Sequence, residues 1–349
     1  MPARRVAPRR PLRDNRAMHS ALARLLRLCL WLLPCLALPP AADALELRML
    51  VAWDETYPGV ARIAERFARK VDEASHGEVT FTLTGPDGIP PFEQFVPASL
   101  GIFDLLFTHG GFHLDVTGMG LALDALTGDA RRLRESGIWD AVDRAYQRHG
   151  LKLIAIPVAG SGYQVFLREA VGESCDLHGR HIRAAPVYQH MLAAVGAERV
   201  ALPIGEVHDA LGDKRLDGVA WSTLGALDYH WFEVNRFLLR PTVGVVSHLL
   251  LMNLDTWQHL PLDLQKLLLE QGEALETRAE RRLRELAAAE LNQLTVSGMQ
   301  LTALCKKGGK RLRRAWAAGV WDMAIEKSGD EARALRALAE KADLTPTEK

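Results

Sequence analysis

From Leu45 onward the apolar pattern changes period at regular intervals, and this alternation constrains the fold more than any single residue does. "LELRMLVAW" (45–53) reads as a strand, and "PGVARIAERFARKVDEASHG" (58–77) reads as a helix. In that helix Val60, Ile63, Ala64, Phe67, Val71 and Ala74 recur at helical spacing, with Pro58 near the start and Gly77 past the end. "EVTFTL" (78–83) alternates like a strand, and "FDLLFT" (103–108) is a short, buried-type one. A further helix fits 131–149, closed by Gly150, and the strand "LKLIAIPV" (151–158) follows. Strands alternating with helices predict a mostly parallel α/β sheet with helices packed on it.

A second unit repeats the pattern. "YQVFLRE" (163–169), "HIRAA" (181–185), "RVALP" (199–203) and "LDGVAW" (216–221) read as strands with short helices between them. "TVGVVSHLLLMN" (242–253) is too long for one ordinary strand and could cross between two sheets. Pro261 opens a helical run to about residue 296. At 1.5 Å per residue that run is roughly 50 Å long, enough to span two lobes. Its mixed charges at three- and four-residue spacing predict a solvated face.

The N-terminus has a different character. The first 44 residues hold eight arginines and two acids, whereas the rest has 35 basic and 41 acidic residues, a net charge of −6 before histidine. A net-acidic body argues against a polyanion as its partner. Arg24 and Arg27 precede the apolar run "LCLWLLPCLAL" (28–38), and Ala42-Asp43-Ala44 fits small-x-small cleavage. The run is shorter than the ~20 apolar residues of a membrane span, so the expectation is an export signal removed near Ala44, with an uncleaved anchor as the alternative. Either Met1 or Met18 could be the start. Removing the segment takes Cys29 and Cys35 with it and leaves Cys175 and Cys305, whose pairing their spacing does not decide.

Common catalytic signatures are missing: there is no G-x-S-x-G and no phosphate-binding P-loop, and "GMGLAL" (118–123) lacks the third glycine of a dinucleotide fingerprint. "HGGFH" (109–113) and "HGRH" (178–181) have metal-like spacing, but their glycines point to loops rather than to a helix that would align ligands. "KKGGKRLRR" (306–314) reads as one face of a helix in preference to a nucleic-acid site. One residue stands out. Arg183 sits in the apolar half of the strand in "DLHGRHIRAAPV" (176–187), just before a turn into a helix. A guanidinium there needs an anion, because burial of an unpaired charge is costly. Two anions qualify: a ligand carboxylate gripped bidentately near a helix N-terminus, or a neighbouring acid in a structural ion pair.

The longer stretch around Arg183 resembles the extracytoplasmic binding subunits of TRAP transporters of the C4-dicarboxylate-binding type. The residues that carry the resemblance are Asp176-Leu177-x-Gly179, Arg183, Gly196-Ala197, Pro203, Glu206-Val207 with Ala210-Leu211, and Asp217-Gly218. "WFEVNRFLL" (231–239) and "NLDTWQHLPLDLQKLLLE" (253–270) continue it in order, over about 45–340 in all. The resemblance implies an α/β, two-lobed periplasmic binding protein fold, type II-like, with crossover strands and one long spanning helix. It implies lobe I at 45–160, with about 245–290 returning to it, and lobe II at 161–244, with about 291–345 packing on it. It also implies a periplasmic protein that captures an organic acid and delivers it to the small and large membrane subunits of a permease, with Arg183 gripping the ligand carboxylate.

Two departures shape the ligand expectation. Trp221 stands where many members have an asparagine that touches the ligand, and Ala220 replaces the glutamate that accompanies a metal in some others. A second basic residue seen in several members falls near Gln164. Together they imply a monocarboxylate with an apolar or aromatic part packed on Trp221. From the other lobe, Trp53 and His109 follow strand ends, where α/β sheets collect ligands. Tyr163 beside the crossover and Tyr188 after Arg183 complete the candidate set. The expectation is a monomeric binding protein with no catalytic residues, metal, cofactor or nucleic-acid partner. Its rivals are a receptor that senses rather than transports, and an exported enzyme acting on a carboxylate.

Overall fold

A computed structural model of the protein describes residues 44–159 and 162–346, so the expected export signal lies outside the described residues. The strands form two six-stranded sheets. The first takes β1 (Leu45–Val51), β2 (Val79–Thr84), β3 (Leu105–His109), β4 (Leu151–Ala155) and the short β5 (Val158–Ala159). The second takes β6 (Tyr163–Leu167), β7 (His181–Arg183), β8 (Glu198–Val200), β9 (Gly218–Ser222) and β10 (Phe237–Arg240). The chain then returns: β11 (Val246–Asn253) enters the first sheet and β12 (Gln300–Ala303) the second. The orders are β2-β1-β3-β11-β4, with β5 on β11, and β12-β10-β6-β9-β7-β8.

The segment 242–253 does cross between sheets. Val243 pairs with Tyr163 of the second, while Val246–Asn253 runs antiparallel to β3 in the first. Gly244 makes that crossing possible. It has φ +60°, and a Cβ there would lie 2.3 Å from Trp316 Nε1 and 2.8 Å from the Asp124 carbonyl. Every residue of β11 is buried, which is why this run carries no polar alternation.

The helices cover the faces. They include α1 (Glu65–Ala74), α2 (Ala130–Glu135), α3 (Ile138–Gln147), α4 (Gln189–Ala194), α5 (Leu262–Val296) and α6 (Lys306–Lys341). The single helix expected over 131–149 is two, because Gly137 turns the chain at φ +78° and starts α3 anew. Helix α5 runs 35 residues, close to the expected span, but its acids are not all solvated. Glu276 is buried and accepts from Arg134 Nε (2.6 Å), Trp139 Nε1 (3.2 Å) and the Ile156 amide (2.7 Å), all in the first lobe. Fourteen residues on, Glu290 accepts from the Gly225 and Leu227 amides (3.0 and 3.2 Å) of the second lobe. Charge periodicity cannot reveal such partners, since they come from distant segments. Burial raises both carboxyl pKa values, and the donors oppose that rise. One helix is thereby pinned to each lobe by one buried carboxylate.

Cys175 and Cys305 are joined in a disulfide, tying the loop before β7 to the start of α6. Helix α6 packs on α4 of the second lobe and on Met119–Ala122 of the first. Among the described residues, no helix is long and apolar enough to cross a membrane.

Candidate functional site

In the first sheet β1 and β3 are parallel and β11 antiparallel, so the ends of β1 and β3 share an edge with the start of β11. Trp53, His109 and His248 stand there. In the second sheet β7 and β9 are parallel and β6 antiparallel to both β9 and β10. The ends of β7, β9 and β10 and the start of β6 therefore share the corresponding edge. Arg183, Trp221, Arg240, Tyr163 and Gln164 lie on it.

The first-lobe wall is aromatic, and the ring nitrogens of His109 and His248 are engaged. Trp53 stacks on Tyr57 (5.0 Å between centroids) and touches Phe107 (5.1 Å), Phe112 (5.5 Å) and His248 (5.5 Å). His248 Nδ1 lies 3.1 Å from the Pro157 carbonyl, which only accepts, so Nδ1 carries the proton. Nε2 then accepts from the Tyr57 hydroxyl at 2.6 Å. Burial chiefly, with repulsion from His109, pulls the His248 pKa down to about 4, against the Pro157 hydrogen bond and the Asp124 charge.

His109 is fixed by the same logic. Its Nδ1 accepts from the Gly111 amide (3.0 Å), so Nε2–H donates to Asp124 Oδ2 (2.8 Å). The Tyr163 hydroxyl donates to that same oxygen at 2.5 Å, and the Ser247 amide donates to Oδ1 at 2.9 Å. Asp124 is fully buried and ties the ends of β3, β6 and β11 together where the lobes join. Burial, then the Asp124 charge, raises the Tyr163 pKa well above its ordinary value. The "HGGFH" turn sends its second histidine elsewhere, to the buried Tyr146 hydroxyl at 2.6 Å. Gly110 permits this tight packing, since a Cβ there would sit 2.1 Å from the Leu121 amide nitrogen.

The second-lobe wall is different. Arg183 Nε donates to the Leu202 carbonyl at 2.9 Å, while NH1 is buried with no hydrogen-bond partner among the described residues. Among the described residues no carboxylate pairs with it, so the neighbouring-acid alternative finds no partner there. Its guanidinium lies over the Trp221 ring, 5.6 Å from the centroid. Burial lowers its pKa, opposed by Tyr188 and Tyr229. Trp221 meets Tyr229 edge-on (5.7 Å) and Trp231 edge-on (5.7 Å), and those two stack at 4.9 Å. Burial and then the charge of Asp54, from the opposite lobe, raise the Tyr229 pKa.

The structure thus brings Arg183, Trp221 and Gln164 onto one face of the second sheet, with Trp53 and His109 on the opposing edge. Tyr163 and Tyr188 are buried, meeting each other at 5.6 Å and Trp316 at 4.7 and 5.4 Å. They pack on the reverse face of the sheet, beside the crossover at Val243. Asp124, Tyr57, His248, Tyr229 and Arg240 escaped the sequence reading. Arg240, a lone cation ending an apolar strand, repeats the signal that singled out Arg183.

These features define a class: a two-lobed binding protein whose strand edges face each other across a cleft. The profile of the bacterial extracellular solute-binding protein family 7 matches residues 116–327. The chain belongs to that family. An extracytoplasmic solute receptor of Bordetella pertussis, solved with pyroglutamic acid, is 17% identical, with 85% of this chain and 100% of that one covered at a TM-score of 0.71. A TRAP periplasmic solute-binding protein of Desulfovibrio salexigens, solved with orotic acid, is 20% identical over 85% and 98% of the two chains, at a TM-score of 0.71. One from Rhodobacter sphaeroides, in an apo open form, is 18% identical over 85% and 99%, at 0.75.

Proposed function

We propose that this protein is a periplasmic receptor, acting as a single chain, that closes its lobes on an organic acid and delivers it to a TRAP-type permease. The observation that carries the reading is Arg183: a half-buried guanidinium that, among the described residues, has one buried, unpartnered nitrogen and no acid beside it. A planar donor fork in that state is complementary to a carboxylate. Trp221 beneath it offers an apolar platform for the rest of the ligand. The ligands named for two structural neighbours, pyroglutamic acid and orotic acid, carry a carboxylate, which supports the same reading. Closure would expose the membrane subunits to a surface that only the loaded protein presents. Binding without catalysis fits the opposite wall, where His109 and Asp124 are engaged with each other and with the backbone.

A thermal-shift screen of the mature chain against organic acids tests the proposal. A specific acid at a hundredfold excess over Kd should stabilise by about 2.7 kcal/mol. Arg183→Ala should abolish that shift and leave the unliganded melting temperature unchanged. A shift that survives Arg183→Ala, or a screen in which no acid stabilises the chain, would reject it.

A further inference from the structure

The cleft makes no use of "KKGGKRLRR" (306–314), which opens α6 with six cations in nine residues. At 3.6 residues per turn the six fall within about 160° of the helix circumference, opposite the buried Gly308, Gly309, Leu312 and Trp316. This placement breaks two local rules. A helix N-terminus carries positive partial charge, so cations are unfavourable there. Like charges four residues apart repel, as Lys306 and Lys310, Lys307 and Arg311, and Lys310 and Arg314 do here. No acid compensates along the chain, since none stands between Glu290 and Asp322. Among the described residues Lys306, Lys307, Arg311 and Arg313 have no acid partner, and Arg311 donates to the Cys175 carbonyl at 3.1 Å. Local rules are broken where function requires it.

The fold holds this stripe in one place. The Cys175–Cys305 disulfide fixes the helix start to the loop before β7. Gly308 allows that approach, since a Cβ there would lie 2.1 Å from the Cys175 carbonyl oxygen. Strand β12 runs parallel to β10, with Ala303 beside Arg240, and α6 starts just past it. The stripe therefore begins at the edge of the second sheet that faces the cleft. Elsewhere the body from residue 45 has 29 basic against 41 acidic residues, so its positive charge is concentrated on this one face.

Resting on the periplasmic-receptor reading, we infer that this stripe docks the protein on an anionic phospholipid surface, with lipid phosphates as the partner. Cations spread along one convex helix suit a plane of phosphates, which requires no matching shape. A single-stranded nucleic acid would call for aromatic side chains among the cations. None stands there, and Trp316 and Trp321 are buried. The net-acidic remainder is repelled by the same surface, so charge alone orients the molecule. Docked in this way, the cleft edge of the second lobe lies beside the bilayer that would hold the permease.

The test is flotation of the mature protein with vesicles of phosphatidylcholine alone and with vesicles one-third phosphatidylglycerol. The protein should float with the anionic vesicles and not with the neutral ones, and salt well above physiological strength should release it. The triple variant Lys306→Gln, Lys307→Gln, Arg313→Gln removes three exposed cations. It should bind about a hundredfold more weakly, about fivefold per charge. The charge-preserving variant Lys306→Arg, Lys307→Arg, Arg313→Lys should bind like the wild type. Equal flotation with both vesicle types, flotation unmoved by the triple variant, or none at low salt would overturn the inference. So would tighter binding to duplex DNA or to polyglutamate than to the anionic vesicles, or release by millimolar inorganic phosphate. The triple variant should keep the wild-type melting temperature and its thermal shift with organic acids, so the docking surface and the receptor reading fail separately.

Discussion

The two walls of the cleft treat polar groups in opposite ways. On the first lobe, Asp124, His109 and His248 are each hydrogen-bonded by protein partners, and Asp124 is closed from solvent. On the second, among the described residues, Arg183 has a buried nitrogen without a partner, and neither it nor Arg240 is paired with an acid. A satisfied network holds shape, whereas an unsatisfied cation holds free energy that only an incoming anion releases. One wall is therefore a hydrogen-bonded aromatic surface, and the other presents guanidinium groups that no acid among the described residues neutralises.

Three substitutions break or sharpen this contrast. The largest effect is expected at Asp124. Asp124→Ala orphans the Tyr163 and His109 donors and the Ser247 amide, each costing about 1–3 kcal/mol. A loss of roughly 4 kcal/mol in urea-unfolding free energy is expected, against little change for Arg183→Ala. Equal losses in the two variants would erase the difference between the walls.

The next effect is pH dependence through His248. Its folded pKa is pulled down to about 4, below the ordinary histidine value of about 6.5. The unfolded chain therefore takes up a proton that the folded chain refuses. This contribution is complete above about pH 6.5 and is lost as pH falls toward 4, on the order of 3 kcal/mol in all. Glu276 and Glu290, whose carboxyl pKa values are raised, act in the opposite sense. The difference between wild type and His248→Gln isolates the histidine: the variant's stability should fall less between pH 6.5 and 4. Parallel pH profiles would refute a buried neutral His248.

The smallest effect belongs to Trp221. Trp221→Ala removes the ring beneath the Arg183 guanidinium, a contact of about 1 kcal/mol. Ligand affinity should drop five- to tenfold, with unfolding free energy reduced by no more than about that contact, as titration and denaturation together would show. A large stability loss would move Trp221 from the ligand surface into the structural core around Trp231.

Much of the fold was legible because period and length are local properties. The strand at 78–83 and the long helix after Pro261 follow from spacing alone, and each lies within a few residues of the observed element. The break at Gly137 was not legible, since a serine and a glycine within an apolar repeat do not announce a left-handed turn. Arg183 stood out because a charge in an apolar strand breaks a local rule. Asp124 in "LALDALTG" breaks a similar rule less visibly, and its three donors come from residues 109, 163 and 247.

By itself the sequence determined the alternating elements, the excess length of 242–253 and the cation at position 183. Those depend on residues within one turn or strand of each other. The tertiary structure alone decided that Cys175 meets Cys305, that Glu276 and Glu290 clamp one helix to two lobes, and that Arg240 stands across from Gln164. Each of these joins segments 65 to 130 residues apart, or depends on which strands become neighbours. Strand order is set by how whole sheets bury their faces, and no local pattern encodes it.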